Sequence, residues 1–321
     1  MLESLTSPEP GSYPFRPVRP PLPTEQPLVS PAPAASLAPV RAAAPETPFF
    51  LTVAGIPVYA VFHAAVPGRE RAPVVVHVHG LGVEQITLYR QEVLAARAAA
   101  ARGFPVLRFH ARGHGDSGGS SADVTLDSLV TDARAAADEA RRLSGRSRIV
   151  WLGVRMGALV AGLAGGVGSG RDDADAFFFW EPIEKPADFF RQQLRTLLFS
   201  QVAGGQKPEA TVDQLLARLE SEGSLDILGY TLQRSLVQSL GTASLAPTLT
   251  GGRARVRLAQ VQARAKLAPA HAQLVEALAA AGTDAQSALV QEEPGYQLMS
   301  NPAWQSDALL RVTLEWLDAL A

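Results

Sequence analysis

The feature that most constrains this chain is an abrupt passage from an apolar run into a helical run at residues 149–161. The run Ile-Val-Trp-Leu is typical of a buried strand, and Gly153 and Gly157 follow it before a stretch of Ala, Leu and Val. Glycine at both positions allows a strand to turn sharply into a helix that packs closely against it. The spacing therefore predicts a strand–turn–helix unit with Arg155 at the middle of the turn.

The chain on both sides of this unit alternates between strand-like and helix-like patterns. Buried strands are predicted at 74–79, 105–109, 176–180, 255–261 and 287–291, and an antiparallel hairpin at 49–63. Helices are predicted at 84–102, 126–143, 271–281 and 307–320. Residues 186–245 lack strand-like runs and predict a helical cap insertion, with helices at 189–199, 212–219 and 232–240. This alternation predicts an α/β fold with a doubly wound, mainly parallel sheet.

The first 48 residues differ in composition from the rest, because they hold 13 of the 24 prolines and show no sustained apolar period. Such a segment buries too little apolar surface to offset its ordering entropy. We expect a disordered tail at 1–48 and a folded domain at 49–321. The run at 16–23, Arg-Pro-Val-Arg-Pro-Pro-Leu-Pro, favours polyproline II, which suits docking to a protein partner, although plain tethers share this composition.

The overall composition excludes several classes of function. The chain is 47% hydrophobic and 19% charged with a net charge of −2, so it has no basic excess for nucleic acid or anionic membranes. It has no cysteine, which excludes disulfides and thiolate chemistry. Residues 149–167 are apolar enough to resemble a membrane span, but Arg155 and the glycines argue against one. No signal-peptide pattern opens the sequence, so we expect a cytoplasmic protein without a membrane span.

Two histidines on one predicted strand raise the question of a metal. His77 and His79 are two residues apart and therefore point to the same face. No third ligand lies near them in the sequence, so neither a metal site nor any other cofactor is expected.

Three motifs carry a resemblance to a known superfamily. His79-Gly80, the run Arg-Gly-His-Gly-Asp-Ser at 112–117, and Gly153-x-Arg155-x-Gly157 occur in the order and at about the spacing seen in α/β-hydrolases. Within that superfamily the chain is most similar to serine aminopeptidase-like bacterial proteins known as exosortase-associated hydrolases. That closer similarity rests on residues 153–159, 179–183, 191–195 and 229–230. The resemblance implies an α/β-hydrolase fold with a helical cap and a role linked to exopolysaccharide synthesis and protein sorting.

The resemblance also implies where catalytic groups would stand, and none is present. The nucleophile position holds Arg155, whose guanidinium has no usable lone pair. The acid position after the strand at 255–261 has no carboxylate through residue 269, and no histidine follows residue 291. His271 is the only late histidine, and its predicted place in a helix is wrong for a catalytic base. The resemblance therefore assigns no confident catalytic residue.

The backbone amides that would bind a substrate oxygen can persist without a nucleophile. In the resemblance one such amide lies in Gly80-Leu81-Gly82 and the other is that of Met156. Together with Arg155 these are the predicted ligand-binding residues, although the glycines also suit a simple turn of the chain.

Arg155 has two interpretations. Beside a helix amino terminus it could hold a small anionic or acyl ligand. Alternatively it forms an internal ion pair with Glu181, which ends the adjacent predicted strand. The cost of burying an unpaired cation favours the internal pair.

Three functional hypotheses remain open from the sequence, and whether the protein is an enzyme is among the open questions. The first is a hydrolase-like protein that binds or assembles without triad catalysis. The second is an active hydrolase or acyltransferase with displaced catalytic residues, with Ser117, Ser200 or Ser235 as nucleophile. The third is a purely structural subunit, which an exposed apolar patch would indicate.

Overall fold

A computed structural model describes residues 44–297 apart from 204, 206 and 209, together with residues 301 and 303–321. The tail predicted at 1–48 therefore lies outside the described residues up to position 43. In the described part, eight strands form one sheet and two further strands form a hairpin. The strands are β1 Glu46–Val53, β2 Ile56–His63, β3 Val74–Val78, β4 Val106–Phe109, β5 Ile149–Val154, β6 Ala174–Trp180, β7 Ser224–Ile227, β8 Tyr230–Gln233, β9 Arg255–Val261 and β10 Ala285–Val290.

The large sheet has the order β1-β2-β4-β3-β5-β6-β9-β10. Strands β1 and β2 are antiparallel to their neighbours, and all remaining pairs are parallel. Every residue of β3 and β5 is buried, as expected for central parallel strands covered on both faces. The predicted mainly parallel sheet of the α/β-hydrolase fold is confirmed.

Helices cover both faces of the sheet. They are α1 Val83–Ala100, α2 Leu126–Ser144, α3 Gly157–Gly165, α4 Pro186–Ala203, α5 Val212–Glu222, α6 Arg234–Leu240, α7 Pro269–Ala280 and α8 Asp307–Asp318. Side chains of α1 and α8 pack with one face of the sheet around Leu88, Leu309 and Leu314. Helices α2 and α3 pack on the other face. None of the described helices is long and apolar enough to cross a membrane.

The insertion between β6 and β9 differs from the predicted all-helical cap, because β7 and β8 form a hairpin within it. Leu228 and Gly229, at its turn, have φ of 56° and 85°, the conformation that lets a two-residue turn join twisted antiparallel strands. Leu225, Ile227 and Leu232 are buried. These strands span only four residues each, too few for their alternation to stand out among helical patterns.

The first strand also begins earlier than predicted. β1 starts at Glu46 rather than Phe49, and its first residues pair with the end of β2, Glu46 opposite His63. Glu46 additionally accepts two hydrogen bonds from Arg97 of α1, at 2.5 and 3.2 Å. Pairing across the sheet therefore extends the strand into a proline-containing segment whose composition predicted a tail.

Candidate functional site

The predicted turn between β5 and α3 is present, and close packing explains its glycines. A Cβ on Gly157 would lie 2.3 Å from the carbonyl oxygen of Val78 and 2.4 Å from that of His79. A Cβ on Gly153 would lie 2.6 Å from Ala158 Cα. Only glycine therefore allows β5, α3 and the end of β3 to approach this closely. Arg155 sits at the apex with φ of 54°, a left-handed conformation that is costly for a residue with a side chain.

The Arg155 side chain is buried, being 5% exposed, and has polar partners on several elements. Its Nε and Nη2 each lie 3.0 Å from Oε1 of Glu84 in the first turn of α1. Nη1 donates to the backbone oxygen of Glu181 at 3.3 Å, and Nη2 donates to Gln192 Oε1 at 3.2 Å. The guanidinium carbon lies 5.8 Å from the ring centre of Tyr296. The charge is thus compensated inside the protein.

The internal ion pair expected for Arg155 is present, but its predicted acid is wrong. The partner is Glu84, whereas Glu181 offers Arg155 only its backbone oxygen. The Glu181 carboxylate instead accepts a hydrogen bond from the backbone amide of Val261, at the end of β9. Gly80 lies between the two partners, because a Cβ there would be 3.4 Å from Glu84 Cβ and 3.7 Å from Arg155 Cβ. An acidic residue in the first turn of a helix is common, so no sequence signal distinguished Glu84.

Glu181 has a strongly perturbed environment. It directly follows β6 with φ of 50° and is buried, so desolvation raises the pKa of its carboxyl to about 7. The positive charge of Arg155, the Val261 amide and a hydrogen bond from Tyr296 oppose this rise. Glu181 therefore changes its charge near neutral pH while Arg155 remains cationic.

Tyr296 occupies the place after the last strand where the resemblance implied a histidine. Its side chain is buried, and desolvation raises the pKa of its hydroxyl above the usual value. Gln193 of α4 adds a hydrogen bond to Glu84 Oε1 at 3.1 Å. We call this set of buried polar residues the Arg155 cluster: Glu84, Arg155, Glu181, Gln192, Gln193 and Tyr296. Among them, the sequence pattern indicates only Arg155 and Glu181 as site residues.

The described histidines do not form a catalytic pair with a serine. His79 accepts a hydrogen bond from the Ala111 amide at Nε2, 3.0 Å away, and its Nδ1 donates to the oxygen of Gly80. His271 lies 3.0 Å from the Pro182 oxygen through Nε2. Among the described residues, no hydrogen bond joins a serine hydroxyl to a histidine ring. Nor do three or more potential metal ligands come together in the described ranges.

The predicted substrate-oxygen site adjoins the Arg155 cluster, because Gly80 lies next to Glu84 and Arg155. The backbone amides of Leu81 and Met156 donate to no other protein group within the described part of the chain. Gly82 has φ of 62°, and a Cβ there would lie 3.2 Å from the ring of Tyr230 in β8. Ligand binding by residues 80–82 and 155–156 remains a prediction, since a tight turn beneath Tyr230 also explains Gly82.

Two cavities lie beside the residues of this site, and side chains fill most of the space above the loop at 81–83. One cavity of about 440 Å³ is lined by Arg155, Gln192 and His271 among others. A second of about 490 Å³ lies beside Gly82 and Tyr230. The remaining space above the loop at 81–83 is only about 10 Å³. It is closed by apolar side chains of the insertion, including Phe189, Phe190, Leu232 and Leu236.

Comparisons with known proteins agree with this architecture. The family model for serine aminopeptidases, S33, matches residues 69–227. No curated protein sequence matches the chain significantly. Among solved structures, Est1E from Butyrivibrio proteoclasticus, determined with ferulic acid bound, is 19% identical with a TM-score of 0.61, covering 85% of this chain and 98% of its own.

Two further structures are similar at comparable distance. An esterase from Pyrococcus furiosus is 14% identical with a TM-score of 0.59, covering 86% of this chain and 91% of its own. The enol-lactonase from Burkholderia xenovorans is 17% identical with a TM-score of 0.53, covering 84% of this chain and 99% of its own. Identities this low indicate a shared fold and nothing about substrate. The strand order, the turn around Arg155 and these likenesses together show that the chain has the α/β-hydrolase fold.

Proposed function

We propose that this chain is a non-catalytic member of the superfamily that binds a ligand or assembles with a partner. The observation that carries the proposal is the buried ion pair of Arg155 with Glu84 at the position where the resemblance implies a nucleophile. Burial by itself lowers the pKa of the Arg155 guanidinium, but Glu84, Tyr296 and Glu181 together outweigh burial and hold that pKa above its usual value. A guanidinium that stays protonated cannot attack an acyl carbon.

The groups around Arg155 support the same conclusion. Glu181 could accept a proton near neutral pH, but a general base acts only on a nucleophile within hydrogen-bond reach. Arg155 and Tyr296, its neighbours in the cluster, supply none, because burial keeps the Tyr296 hydroxyl protonated. The cluster therefore lacks the nucleophile and the imidazole that the triad chemistry of this fold requires.

The alternative of an active hydrolase with displaced residues has less support. The Ser117 hydroxyl donates to the backbone oxygen of His110 and accepts from the amide of Tyr59 at 2.8 Å. The Ser200 hydroxyl donates to the oxygen of Leu197 at 2.7 Å within α4. Both hydroxyls are engaged by backbone groups, and no hydrogen bond links Ser235 to a base in the described residues.

For the ligand, we propose an acyl compound in the cavity of about 440 Å³ beside Arg155. Glu84 already neutralises Arg155, so a second anion would gain little there. Glu184 and Lys185 add one charge of each sign to the wall, and much of the rest is apolar, with Ile183, Phe189 and Leu274. A neutral acyl chain suits this lining better than the small anionic ligand considered from the sequence.

We further propose the biological setting that the resemblance implies. In that setting the chain would be a bacterial, cytoplasmic component of an exosortase-linked or exopolysaccharide system that binds or assembles. The proline-rich run at 16–23 would then contact a protein partner.

Active-site labelling tests the proposal directly. Treatment of the purified full chain with a fluorophosphonate should produce no covalent adduct by intact-mass spectrometry, because no serine in the described part of the chain is bonded to a histidine base. An active esterase of the same fold serves as the positive control. Stoichiometric labelling of one serine, with loss of p-nitrophenyl ester hydrolysis when that serine is replaced by alanine, would establish the displaced-residue alternative instead.

The variant Arg155→Ser extends this test. It restores a hydroxyl at the turn, but the missing histidine and acid should keep p-nitrophenyl acetate hydrolysis far below ordinary enzyme rates of about 1–1000 per second. Arg155→Ala is the matched control, since it removes the same pair without adding a hydroxyl. Turnover in the ordinary range for Arg155→Ser alone would reveal an unrecognised base.

A further inference from the structure

The cavity of about 490 Å³ lies apart from the Arg155 cluster, and no residue of that cluster lines it. It is bounded by the start of α1, the loop at 110–115 and the tip of the β7–β8 hairpin. None of the described side chains that line it belongs to an acid, a lysine or an arginine. A charged ligand would lose its hydration there without gaining a partner, so the cavity suits a neutral molecule.

The carboxamide of Gln85 is an unpaired polar group in the wall of this cavity. Gln85 is only 8% exposed, and it lies one helical turn before Tyr89 on the same face of α1. Its side chain forms no hydrogen bond with the described residues. The unbonded atoms that are closed off from solvent belong to other side chains, so Oε1 and Nε2 of Gln85 both keep accessible surface. The carboxamide therefore offers one acceptor and one donor to a molecule in the cavity.

His110, on the loop that bounds the cavity, supplies a second donor. Its Nδ1 accepts a hydrogen bond from the backbone amide of Asp116 at 3.2 Å. Burial lowers the pKa of its imidazole to about 4, so the neutral ring carries its proton on Nε2. This N–H has no partner among the described residues, and it is not closed off from solvent either. A ligand that displaces water from these atoms must replace the hydrogen bonds that water makes.

Aromatic rings form a continuous series along the same cavity. The ring of Tyr89 lies 5.7 Å from that of His110, which lies 6.0 Å from His79. The series continues from His79 to His114 at 5.7 Å and from His114 to Tyr230 at 5.4 Å. Tyr89 and Tyr230, at its two ends, both line the cavity. A wall of rings favours a flat ligand that can stack on it.

We propose that this cavity binds a neutral, flat cyclic amide whose N–H donates to Oε1 of Gln85 and whose carbonyl oxygen accepts from Nε2 of Gln85 and Nε2 of His110. A ring holds the N–H and C=O of an amide on the same side, whereas the trans amide of an open chain points them in opposite directions. A carbonyl oxygen has two lone pairs, so one cyclic amide satisfies all three atoms. The site is separate from Arg155, so its occupancy does not depend on whether the chain is catalytic.

A matched pair of probes tests these hydrogen bonds. Isothermal titration calorimetry of the full chain would compare 2-quinolone, a cyclic amide, with coumarin, the lactone of the same shape that has a ring oxygen in place of the N–H. We expect 2-quinolone to bind about tenfold more tightly, because coumarin leaves Oε1 of Gln85 without a donor. Gln85→Leu removes no hydrogen bond within the described residues and should reduce this preference to less than about threefold.

The matched control is Gln273→Leu, the same change at an exposed residue that lines the other cavity, of about 440 Å³. It should leave the binding of both compounds unchanged. His110→Phe keeps a ring but removes the second donor, and it should weaken 2-quinolone about fivefold, which provides a second measure if Gln85→Leu fails to fold.

Four results would each overturn the proposal. They are equal binding of the two compounds by the original chain, a dissociation constant of 2-quinolone above about 1 mM, unchanged 2-quinolone binding in folded Gln85→Leu or His110→Phe, and loss of 2-quinolone binding in Gln273→Leu. The last result would place the compound in the cavity beside Arg155 instead.

Discussion

At the scale of single residues, the unusual feature is a cation placed where the backbone is strained and the surroundings are dry. Arg155 and Glu181 both have left-handed backbones, at φ of 54° and 50°, and they directly follow neighbouring strands whose last residues, Val154 and Trp180, are paired. Strained conformations persist only where the surrounding structure imposes them. Here Gly153 and Gly157 pack so closely against their neighbours that the turn has little room to relax.

Removal of one partner of the buried ion pair should be strongly destabilising. Arg155→Met or Glu84→Gln alone leaves a buried charge unpaired, at a cost of about 3 kcal/mol or more. The double variant should lose less than the sum of the two single losses. A double-mutant cycle by urea unfolding measures this coupling.

Two comparison cycles sharpen that measurement. The exposed pair of Arg142 with Glu139 on α2 should show almost additive effects, because water screens it. A cycle of Arg155→Met with Glu181→Gln should also show a smaller coupling than the Glu84 cycle, because the Glu181 carboxylate is bonded to Val261. A larger coupling energy with Glu181 than with Glu84 would mean that Glu181, and not Glu84, is the ion-pair partner of Arg155.

The free energy of unfolding should depend on pH through the titration of Glu181. Its pKa rises from 4.5 to about 7 on folding, so the folded state holds the proton more tightly than the unfolded state. The Glu181 proton therefore adds on the order of 3 kcal/mol to the free energy of unfolding below about pH 4.5, and this contribution is lost as the pH rises to about 7. Glu181→Gln cannot titrate, so its stability should increase relative to the original chain across that interval.

Denaturant unfolding of both proteins at several pH values between about 5 and 8 gives the difference. Only the difference is informative, because buried histidines such as His63, whose pKa burial lowers to about 4, titrate in the opposite sense in both proteins. Parallel stability profiles for the two proteins would show that Glu181 keeps an ordinary pKa when folded.

At the scale of elements, the site depends on one close approach and one insertion. Helix α3 reaches the end of β3 through Gly157, and this contact places Arg155 beside the first turn of α1. Helix α4 contributes Gln192 and Gln193 to the cluster, while β8 places Tyr230 over Gly82. The insertion therefore completes the polar cluster and fills the space above it.

A methyl group at Gly157 should separate these elements. In Gly157→Ala the added carbon would meet two backbone oxygens at 2.3 and 2.4 Å, which cannot move as a flexible side chain can. We expect a loss of at least about 2 kcal/mol in the free energy of unfolding.

The control is Gly241→Ala at the end of α6, where φ is −60° and the nearest atoms lie 3.5 Å from a new Cβ. That change should stay within about 0.5 kcal/mol of the original stability. Similar effects of both substitutions, measured by chemical unfolding, would show that α3 and β3 are not in close contact at Gly157.

At the scale of the whole molecule, the composition of the first residues predicts that the folded domain is stable without them. Deletion of residues 1–43 should change the thermal midpoint by less than about 2 °C, because a proline-rich segment contributes few buried contacts. Differential scanning calorimetry measures the midpoint.

A longer deletion, to residue 53, is the control for that experiment. It also removes β1, which pairs with β2 along its full length, and should lower the midpoint clearly. A drop of several degrees after removal of residues 1–43 alone would mean that this segment packs on the domain.

Much of the fold follows from patterns that are local in the sequence. The apolar runs of β3 and β5, the helix of α2 ending at Gly145, and the turn at 153–157 were all predictable, because periodicity and glycine spacing act over a few residues. The hairpin of β7 and β8 was not, because four-residue strands carry little periodic signal. That the nucleophile, acid and histidine are missing is what the resemblance implies, and it stays a prediction.

The composition of the site itself was decided by tertiary structure. Sequence alone placed Arg155 at the turn and required it to have an acidic partner, because an unpaired buried cation is costly. It did not identify Glu84, which lies 71 residues away, or Tyr296 and Gln193. A buried charge pairs with whichever group packing brings within reach, and the approach of α1, α3 and α4 above the sheet is a property of the folded chain only.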